Sequence, residues 1–146
     1  NLAELLLYIA DRAHHFRTVI EPALAKNIIV LCDRYIDSTI AYQGYARGND
    51  LEKLEYLNEI ATKNLKPNLT IVMDLDPEIG LKRAIKRNNS QLDRIESEKI
   101  DFHKKVREGF LNIAKKEPTR LKVIDASKSE EEISKIIIDL VLKLLG

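Results

Sequence analysis

The sequence has little of what marks a secreted, membrane or nucleic-acid-binding protein. It contains one cysteine, Cys32, so no disulfide can form within the chain. A net charge of +1 gives no field that would attract nucleic acid or an anionic membrane. No apolar run approaches the roughly 18 residues of a membrane span, and no signal-peptide pattern is visible. We therefore expect a cytoplasmic protein that binds neither nucleic acid nor membrane.

Several catalytic motifs are also missing. The chain contains no G-x-S-x-G, H-E-x-x-H or C-x-x-C sequence, and His14, His15 and His103 do not have the spacing of metal ligands. Hydrolase, zinc-protease and dithiol redox functions are therefore disfavoured.

Short apolar runs alternate with helical patterns along the chain. Continuous apolarity predicts strands buried on both faces, at residues 27–33, 69–76 and 121–125. The helical patterns lie at 2–25 with a break near Pro22, 37–44, 50–64 with Asp50 as N-cap, from Pro77 onward, 96–116, and 130–145 with a Ser129/Glu132 capping box.

This alternation predicts an α/β fold with a parallel sheet flanked by helices. No linker long enough to divide the chain is visible, so we expect a single domain over 1–146. A complete sheet of this type would have about five strands, more than the runs found here.

The first candidate site follows the run at 27–33. Ligands of open α/β sheets bind beyond the carboxyl ends of the strands, which is where Asp33, Arg34 and Tyr35 would lie. An apolar strand that ends in Asp resembles a Walker B element near a nucleotide-bound Mg²⁺, and the Arg34 fork suits phosphate oxygens. A simple Asp–Arg pair that caps the strand is an equally compatible interpretation.

Two helical pairs could recognise a nucleoside. Ser38 with Tyr42 and Thr39 with Gln43 are each four residues apart, and so place polar groups on adjoining helix faces. Tyr8 and Arg12 have the same spacing and could stack on a base and hydrogen-bond its edge. Helix capping by Ser38, a packed Tyr8 or Tyr42, and a solvated Arg12 are the alternatives.

A third cluster is basic. Arg83 and Arg87 lie one helical turn apart, and Arg94 follows a polar loop. Basic groups on such a segment can close over phosphates, but a solvated helix face is the interpretation we prefer for Arg83 and Lys86.

In order along the chain, the stretches LLLYIADRA, DRYIDSTIAYQG, PNLTIVMDLDPEIGLKRA, LDRIE and VIDAS resemble thymidylate kinase, a family of P-loop nucleoside monophosphate kinases. The resemblance covers nearly the whole chain, and its most specific part runs from Asp33 to Gly44. It implies an α/β fold of the P-loop kinase type. It also implies Mg²⁺-dependent transfer of the γ-phosphoryl group of ATP to dTMP, which gives dTDP for dTTP synthesis.

The resemblance implies an acceptor site in the first part of the chain. Arg34 would hold the dTMP phosphate, and Asp33 would act near Mg²⁺ and reach the metal through water. Tyr8 matches the family aromatic that stacks on thymine, and Arg12 matches the arginine at the carbonyl edge of the base. The other substrate-binding residues would be Ser38, Thr39 and Gln43, of which Thr39 and Gln43 would lie near the base, and Tyr42 at the 2′ position of the sugar.

The later part of the chain would bind ATP. The resemblance implies a lid at about 82–97 in which Arg87 and Arg94 contact ATP, and either of them could be the catalytic arginine. The turn Ala126-Ser127 would border adenine. The family also pairs as a homodimer through helices, and the apolar faces of 2–20 and 50–64 are candidate contacts.

The sequence departs from the family at one point. The phosphate-binding motif G-x-x-x-x-G-K-[ST] does not occur in the chain, and the family places it before the block that starts here. We expect these residues to be the C-terminal two-thirds of a kinase. As a separate polypeptide they should be inactive, because positioning of ATP supplies nearly all the catalysis in this reaction class. They should also be poorly soluble, because a cut through the sheet would expose apolar strand faces and edges.

Two other functions remain open from the sequence. A deoxynucleoside kinase would use a hydroxyl as acceptor, although the Arg-Tyr-x-x-Ser pattern suits a phosphate better. A non-catalytic nucleotide-binding scaffold would account for the missing motif but not for the ligand-type residues at the acceptor and lid positions.

Overall fold

A computed structural model describes residues 2–87 and 95–146, with the Arg87 side chain excluded. The chain divides into two compact units, of which the first ends at Lys66 and the second begins at Pro67. The expectation of a single domain over 1–146 stays a prediction.

The first unit opens on a long helical stretch. Helix α1 (Leu2–His15) continues into a π-helical segment (Phe16–Ile20) and then into the short helix α2 (Glu21–Leu24). The α-helix is interrupted next to Pro22, as predicted, but the interruption is a π-helical segment and not an end of the helix. The Glu21 N–H bonds to the Phe16 carbonyl in the π pattern, which accommodates a proline that cannot donate to the preceding turn.

The run predicted as a first strand is not a strand. Residues 28–32 have no ladder partner in the described part of the chain. Val30 and Cys32 pack against the buried core of the first unit, whereas Leu31 is 99 % exposed. The run therefore buries one of its two faces, and the prediction of burial on both faces is wrong.

The remainder of the first unit is helical. The short helix α3 (Ile36–Thr39) passes into a second π-helical segment (Ile40–Ala46), and α4 (Leu51–Thr62) packs against both this segment and α1. The side chain of Asp50 accepts hydrogen bonds from the N–H groups of Glu52 and Lys53, so the predicted N-cap is confirmed.

The second unit contains a parallel two-stranded sheet. Strand β1 (Thr70–Asp74) pairs with β2 (Leu121–Asp125), with Val72 opposite Val123. Helices α5 (Pro77–Arg87) and α6 (Ile100–Lys116) connect the two strands. The α/β class with a parallel sheet, predicted from the sequence, is confirmed.

Local signals predicted several helix boundaries of this unit. Pro77 occupies the first position of α5, and the final helix, α7 (Glu130–Leu145), has the expected reciprocal capping box between Ser129 and Glu132. Helix α6 begins four residues later than predicted, because residues 96–99 form a turn and a bend instead of helix. Among the described residues, every helix is too short or too polar to cross a bilayer.

Candidate substrate-binding site

A cleft of about 200 Å³ opens on the surface of the first unit. It lies where α1 passes the turn that precedes α3, and its walls carry Tyr8, Asp11, Arg12, His15, Asp33, Arg34 and Tyr35. Four of the residues singled out in the sequence, Tyr8, Arg12, Asp33 and Arg34, therefore meet at one place.

The turn that carries Asp33 and Arg34 has an unusual backbone. Arg34 has a φ of 65°, in the left-handed region that costs an ordinary residue about 1–2 kcal/mol. The neighbours of Arg34 hold the turn in place, because Tyr35 is buried in the core and the Cys32 thiol lies 3.4 Å from the Arg34 carbonyl oxygen. Burial raises the pKa of the Cys32 thiol, which favours its protonated form.

The Arg34 side chain is exposed and lies over an aromatic ring. Its guanidinium carbon is 5.0 Å from the centre of the Tyr42 ring, which is a cation–π distance. The phosphate and sugar residues expected from the resemblance are therefore in direct contact.

Arg12 is held much more firmly. Its Nη1 donates to Thr39 Oγ1 and, over 2.7 Å, to Asn58 Oδ1, while its Nη2 donates to the Tyr35 carbonyl oxygen at 3.0 Å. Burial lowers the pKa of this guanidinium, although an arginine remains charged in a protein. The hydrogen bonds fix the plane of a cation that forms part of the cleft wall.

The remaining acceptor-site candidates differ in their burial and in their contacts. Thr39 is 1 % exposed and reaches Arg12, and Gln43 is also buried, while Tyr8 stays exposed one turn before Arg12. Ser38 is half-buried, and its N–H bonds to the Tyr35 carbonyl in the first turn of α3.

The second unit brings the turn Ala126-Ser127 to the carboxyl end of the sheet. Asp125 Oδ1 accepts the Ser127 N–H at 2.9 Å, and the Ala126 N–H bonds to the Asp74 carbonyl oxygen at 2.8 Å. Arg83 Nη1 donates to the Ala126 carbonyl oxygen at 3.1 Å. The turn is therefore fixed from β1, β2 and α5.

A family model of thymidylate kinase matches residues 1–137 of the chain. The chain belongs to the thymidylate kinase family. This family consists of phosphotransferases, and membership confirms the resemblance that the sequence motifs indicated.

Individual relatives agree with this assignment. A thymidylate kinase from Sulfurihydrogenibium sp. (strain YO3AOP1) is 55% identical over 138 residues, which are 94% of this chain and 66% of that protein. One from Geotalea uraniireducens (strain Rf4) is 49% identical over 147 residues, 98% of this chain and 69% of the relative. The chain spans about two thirds of the length of these curated relatives.

A solved structure has the same fold. The crystal structure of thymidylate kinase from Ehrlichia chaffeensis superposes with a TM-score of 0.70 at 37% identity, and covers 93% of this chain and 64% of that one. The α/β fold of the P-loop kinase type is therefore confirmed for this family member.

Two residues near the candidate sites were not predicted from the sequence. Arg107 on α6 forms a two-pronged ion pair with Asp74 at the end of β1, with N–O distances of 2.6 and 2.9 Å. Its hydrogen bonds lower the pKa of Asp74, and Asp74 in turn raises that of Arg107. Asp74 ends an apolar run just as Asp33 does, and that signal was available.

Asn58 is the second missed residue. It recurs with Leu54 and Ala61 on the face of α4 that packs inward, and a buried amide in an apolar stripe requires partners. Its position was readable from the sequence, but its contact with Arg12, 46 residues away, was not.

Three predictions about the ATP side lie wholly or partly outside the described residues. Arg94 lies outside them, as does most of the polar part of the expected lid at 82–97. Arg87 ends α5, and its side chain is not described. Arg83 is exposed, as the solvated-face interpretation predicts, but it also contacts Ala126.

Proposed function

We propose that the full-length protein transfers the γ-phosphoryl group of ATP to dTMP and so forms dTDP. The observation that carries the proposal is the pairing of two arginines in one cleft, in a chain of the thymidylate kinase family. Arg34 is exposed, which suits binding of the mobile phosphate of dTMP. Arg12 is held by hydrogen bonds, which suits binding of the rigid thymine ring.

The phosphate of dTMP would bind to Arg34. A guanidinium offers a planar pair of donors that matches two phosphate oxygens, and the left-handed backbone at this residue presents the side chain to solvent. The Tyr42 ring beneath Arg34 would support it and at the same time crowd the 2′ position of the sugar.

The thymine ring would lie between Tyr8 and Arg12. Three of the five N–H donors of Arg12 bond to protein acceptors, which leaves two that can meet a carbonyl oxygen of the base. Tyr8, one turn earlier on α1 and exposed, supplies an aromatic face for stacking. Ser38, Thr39 and Gln43 would complete the polar wall.

Mg²⁺ would be held near Asp33. This carboxylate is exposed in the cleft beside Arg34, and Mg²⁺ characteristically keeps several waters while taking one or two carboxylates and substrate phosphates. In the described part of the chain, His, Cys, Asp and Glu side chains do not group in threes as a protein-only metal site would need. A water-mediated contact from Asp33 fits this donor set. The bound ion would neutralise phosphate charge during transfer.

ATP would lie against the second unit. The turn Ala126-Ser127 occupies the carboxyl end of β2, where ligands of α/β sheets bind, and its hydrogen bonds hold it in one shape. Arg87 and Arg94 would supply positive charge from the lid, and one of them would act on the transferring phosphoryl group.

We further propose that the protein is a cytoplasmic homodimer. Helix α1 exposes Leu2, Leu6 and Leu7, and α4 exposes Tyr56 and Ile60. Apolar side chains repeated along two helices that pack together are typical of a helical dimer contact.

A coupled assay of ADP formation tests the proposed reaction. The full-length protein is given ATP and Mg²⁺ with dTMP, thymidine or no acceptor. We expect ADP to form at a substantial rate with dTMP only. A higher kcat/KM with thymidine would indicate a deoxynucleoside kinase, and binding without turnover would indicate a nucleotide-binding scaffold.

A further inference from the structure

Asn58 lies behind the cleft and has no role in the proposed reaction so far. It sits on α4 with 4 % of its surface exposed. A buried side-chain amide must find partners for both its oxygen and its nitrogen, or it destabilises the fold by roughly 1–3 kcal/mol. Its partners therefore show what the residue is fixed to.

The two ends of the Asn58 amide bind two different parts of the acceptor site. Oδ1 accepts from Arg12 Nη1 at 2.7 Å, and Nδ2 donates to the Ile36 carbonyl oxygen at 3.3 Å. Ile36 begins α3, directly after the turn that carries Arg34. Asn58 therefore links Arg12 on α1, the proposed base-binding arginine, to the segment that carries Arg34, the proposed phosphate-binding arginine.

The chemistry of the amide suits this task. Arg12 is bonded to three neutral acceptors, on Thr39, Asn58 and Tyr35, and among the ion pairs of the described residues none includes Arg12. A neutral oxygen orients the guanidinium without cancelling its charge. An aspartate at the same position would also accept this hydrogen bond and orient Arg12, although it would add a negative charge, whereas an apolar residue would leave one N–H without an acceptor.

We infer that Asn58 is a positioning residue that orients Arg12 toward the pyrimidine and so contributes to the selection of thymine over cytosine. The inference rests on the proposed function, in which the free Arg12 donors meet a base carbonyl. At C4 of the ring cytosine presents an amino group where thymine presents a carbonyl oxygen, so an N–H donor fixed toward that position favours thymine.

The first test compares Asn58→Ala with Thr62→Val in the full-length protein. Thr62 is equally buried, one turn further along α4, and its hydroxyl bonds to the Asn58 carbonyl oxygen without touching Arg12. We expect Asn58→Ala to raise the KM for dTMP more than it lowers kcat, and to reduce the dTMP-to-dCMP ratio of kcat/KM about tenfold. Thr62→Val should leave that ratio unchanged. Equal ratios in the two variants would overturn the inference.

A conservative variant covers the case in which Asn58→Ala does not fold. Asn58→Asp keeps an oxygen that can accept from Arg12 but loses the donor to Ile36. We expect it to keep the dTMP preference within about threefold of the wild type. If Asn58→Asp loses as much of the dTMP preference as Asn58→Ala does, the hydrogen-bond acceptor for Arg12 does not determine that preference, and the inference is refuted. Where the alanine variant is not obtained, a complete loss of the preference in Asn58→Asp refutes it.

A measurement without nucleotide separates this inference from the proposed function. Arginine side-chain ¹⁵N NMR of the wild type, with Arg12 assigned through Arg12→Lys, reports how firmly the guanidinium is held. We expect Asn58→Ala to shift or broaden the Arg12 signals and Thr62→Val to leave them unchanged. If the wild type does not phosphorylate dTMP, the proposed function fails, and this comparison still decides whether Asn58 orients Arg12. Unchanged Arg12 signals in Asn58→Ala would refute the positioning role.

Discussion

The guanidinium carbon of Arg34 lies 5.0 Å from the centre of the Tyr42 ring, so the proposed phosphate and sugar contacts form one unit. Each residue limits where the other can move. A substitution at Tyr42 should therefore affect phosphate binding as well as sugar selection.

Arg34→Ala should lower kcat/KM for dTMP at least tenfold, which corresponds to about 1.4 kcal/mol of transition-state stabilisation. The reason is the loss of a planar donor pair for the phosphate, and Arg34→Lys should recover only part of it. Steady-state kinetics with varied dTMP measure the effect. Arg17→Ala is the control, because the Arg17 side chain is 64% exposed and pairs with Glu21. An unchanged kcat/KM in Arg34→Ala would remove this residue from the acceptor site.

Replacing Tyr42 by Ala should let ribonucleotides compete better. Removal of the ring opens space at the 2′ position, so the preference for dTMP over the ribonucleotide should fall about tenfold. Loss of the cation–π support should also raise the KM for dTMP. Tyr42→Phe, which keeps the ring, is the matched control and should retain both properties. Sugar discrimination that stays the same in Tyr42→Ala would contradict the proposed role.

The Asp74–Arg107 pair should stabilise the protein in a pH-dependent way. Hydrogen bonds from Arg107 lower the pKa of Asp74 below its ordinary value of 3.8, so the contribution is present above that pH and is lost as pH falls through the folded-state pKa. Both side chains are partly exposed, and we expect Arg107→Ala to lower the free energy of unfolding by about 1 kcal/mol at pH 7.

Urea unfolding followed by circular dichroism at pH 7 and near pH 3 would measure this dependence. The difference between wild type and Arg107→Ala should shrink in acid. Lys104→Ala, which removes an exposed pair with Glu78, should change stability less at both pH values. A difference of equal size at both pH values would show that Arg107 acts through packing and not through the charge of Asp74.

Two glycines should respond in opposite directions to alanine. A Cβ at Gly44 would lie 2.4 Å from Leu51 Cδ2 and 3.2 Å from Leu54 Cδ1, so Gly44→Ala should destabilise the first unit by about 1–3 kcal/mol. Gly80 lies in α5, where the nearest atom to a new Cβ is 3.9 Å away, and Gly80→Ala should stabilise by about 0.5–1 kcal/mol. Thermal unfolding measures both, and a neutral Gly44→Ala would mean that Leu51 moves aside freely.

The sequence predicted the local features of this fold well. Asp50, Pro77 and the Ser129/Glu132 pair mark helix starts because capping depends on residues that are neighbours in the chain. The run at 27–33 was predicted wrongly because a strand also depends on a partner, which no local pattern can supply.

The candidate site was also predicted only in part from the sequence. Asp33 and Arg34 could be found because they follow an apolar run, but the left-handed backbone at Arg34 could not be read from an ordinary residue type. The contacts of Arg12 with Asn58 and of Asp74 with Arg107 join residues that lie 46 and 33 positions apart. Such pairs arise from the packing of helices and strands, so they cannot be predicted from the sequence alone.

The positive φ of Arg34 sets stability against activity at a single position. Glycine would relieve about 1 kcal/mol of backbone strain there, yet it carries no guanidinium. A laboratory selection for heat resistance alone would therefore tend to replace the residue on which phosphate recognition is proposed to depend. Thermostable variants of this protein should be screened for dTMP turnover in the same round.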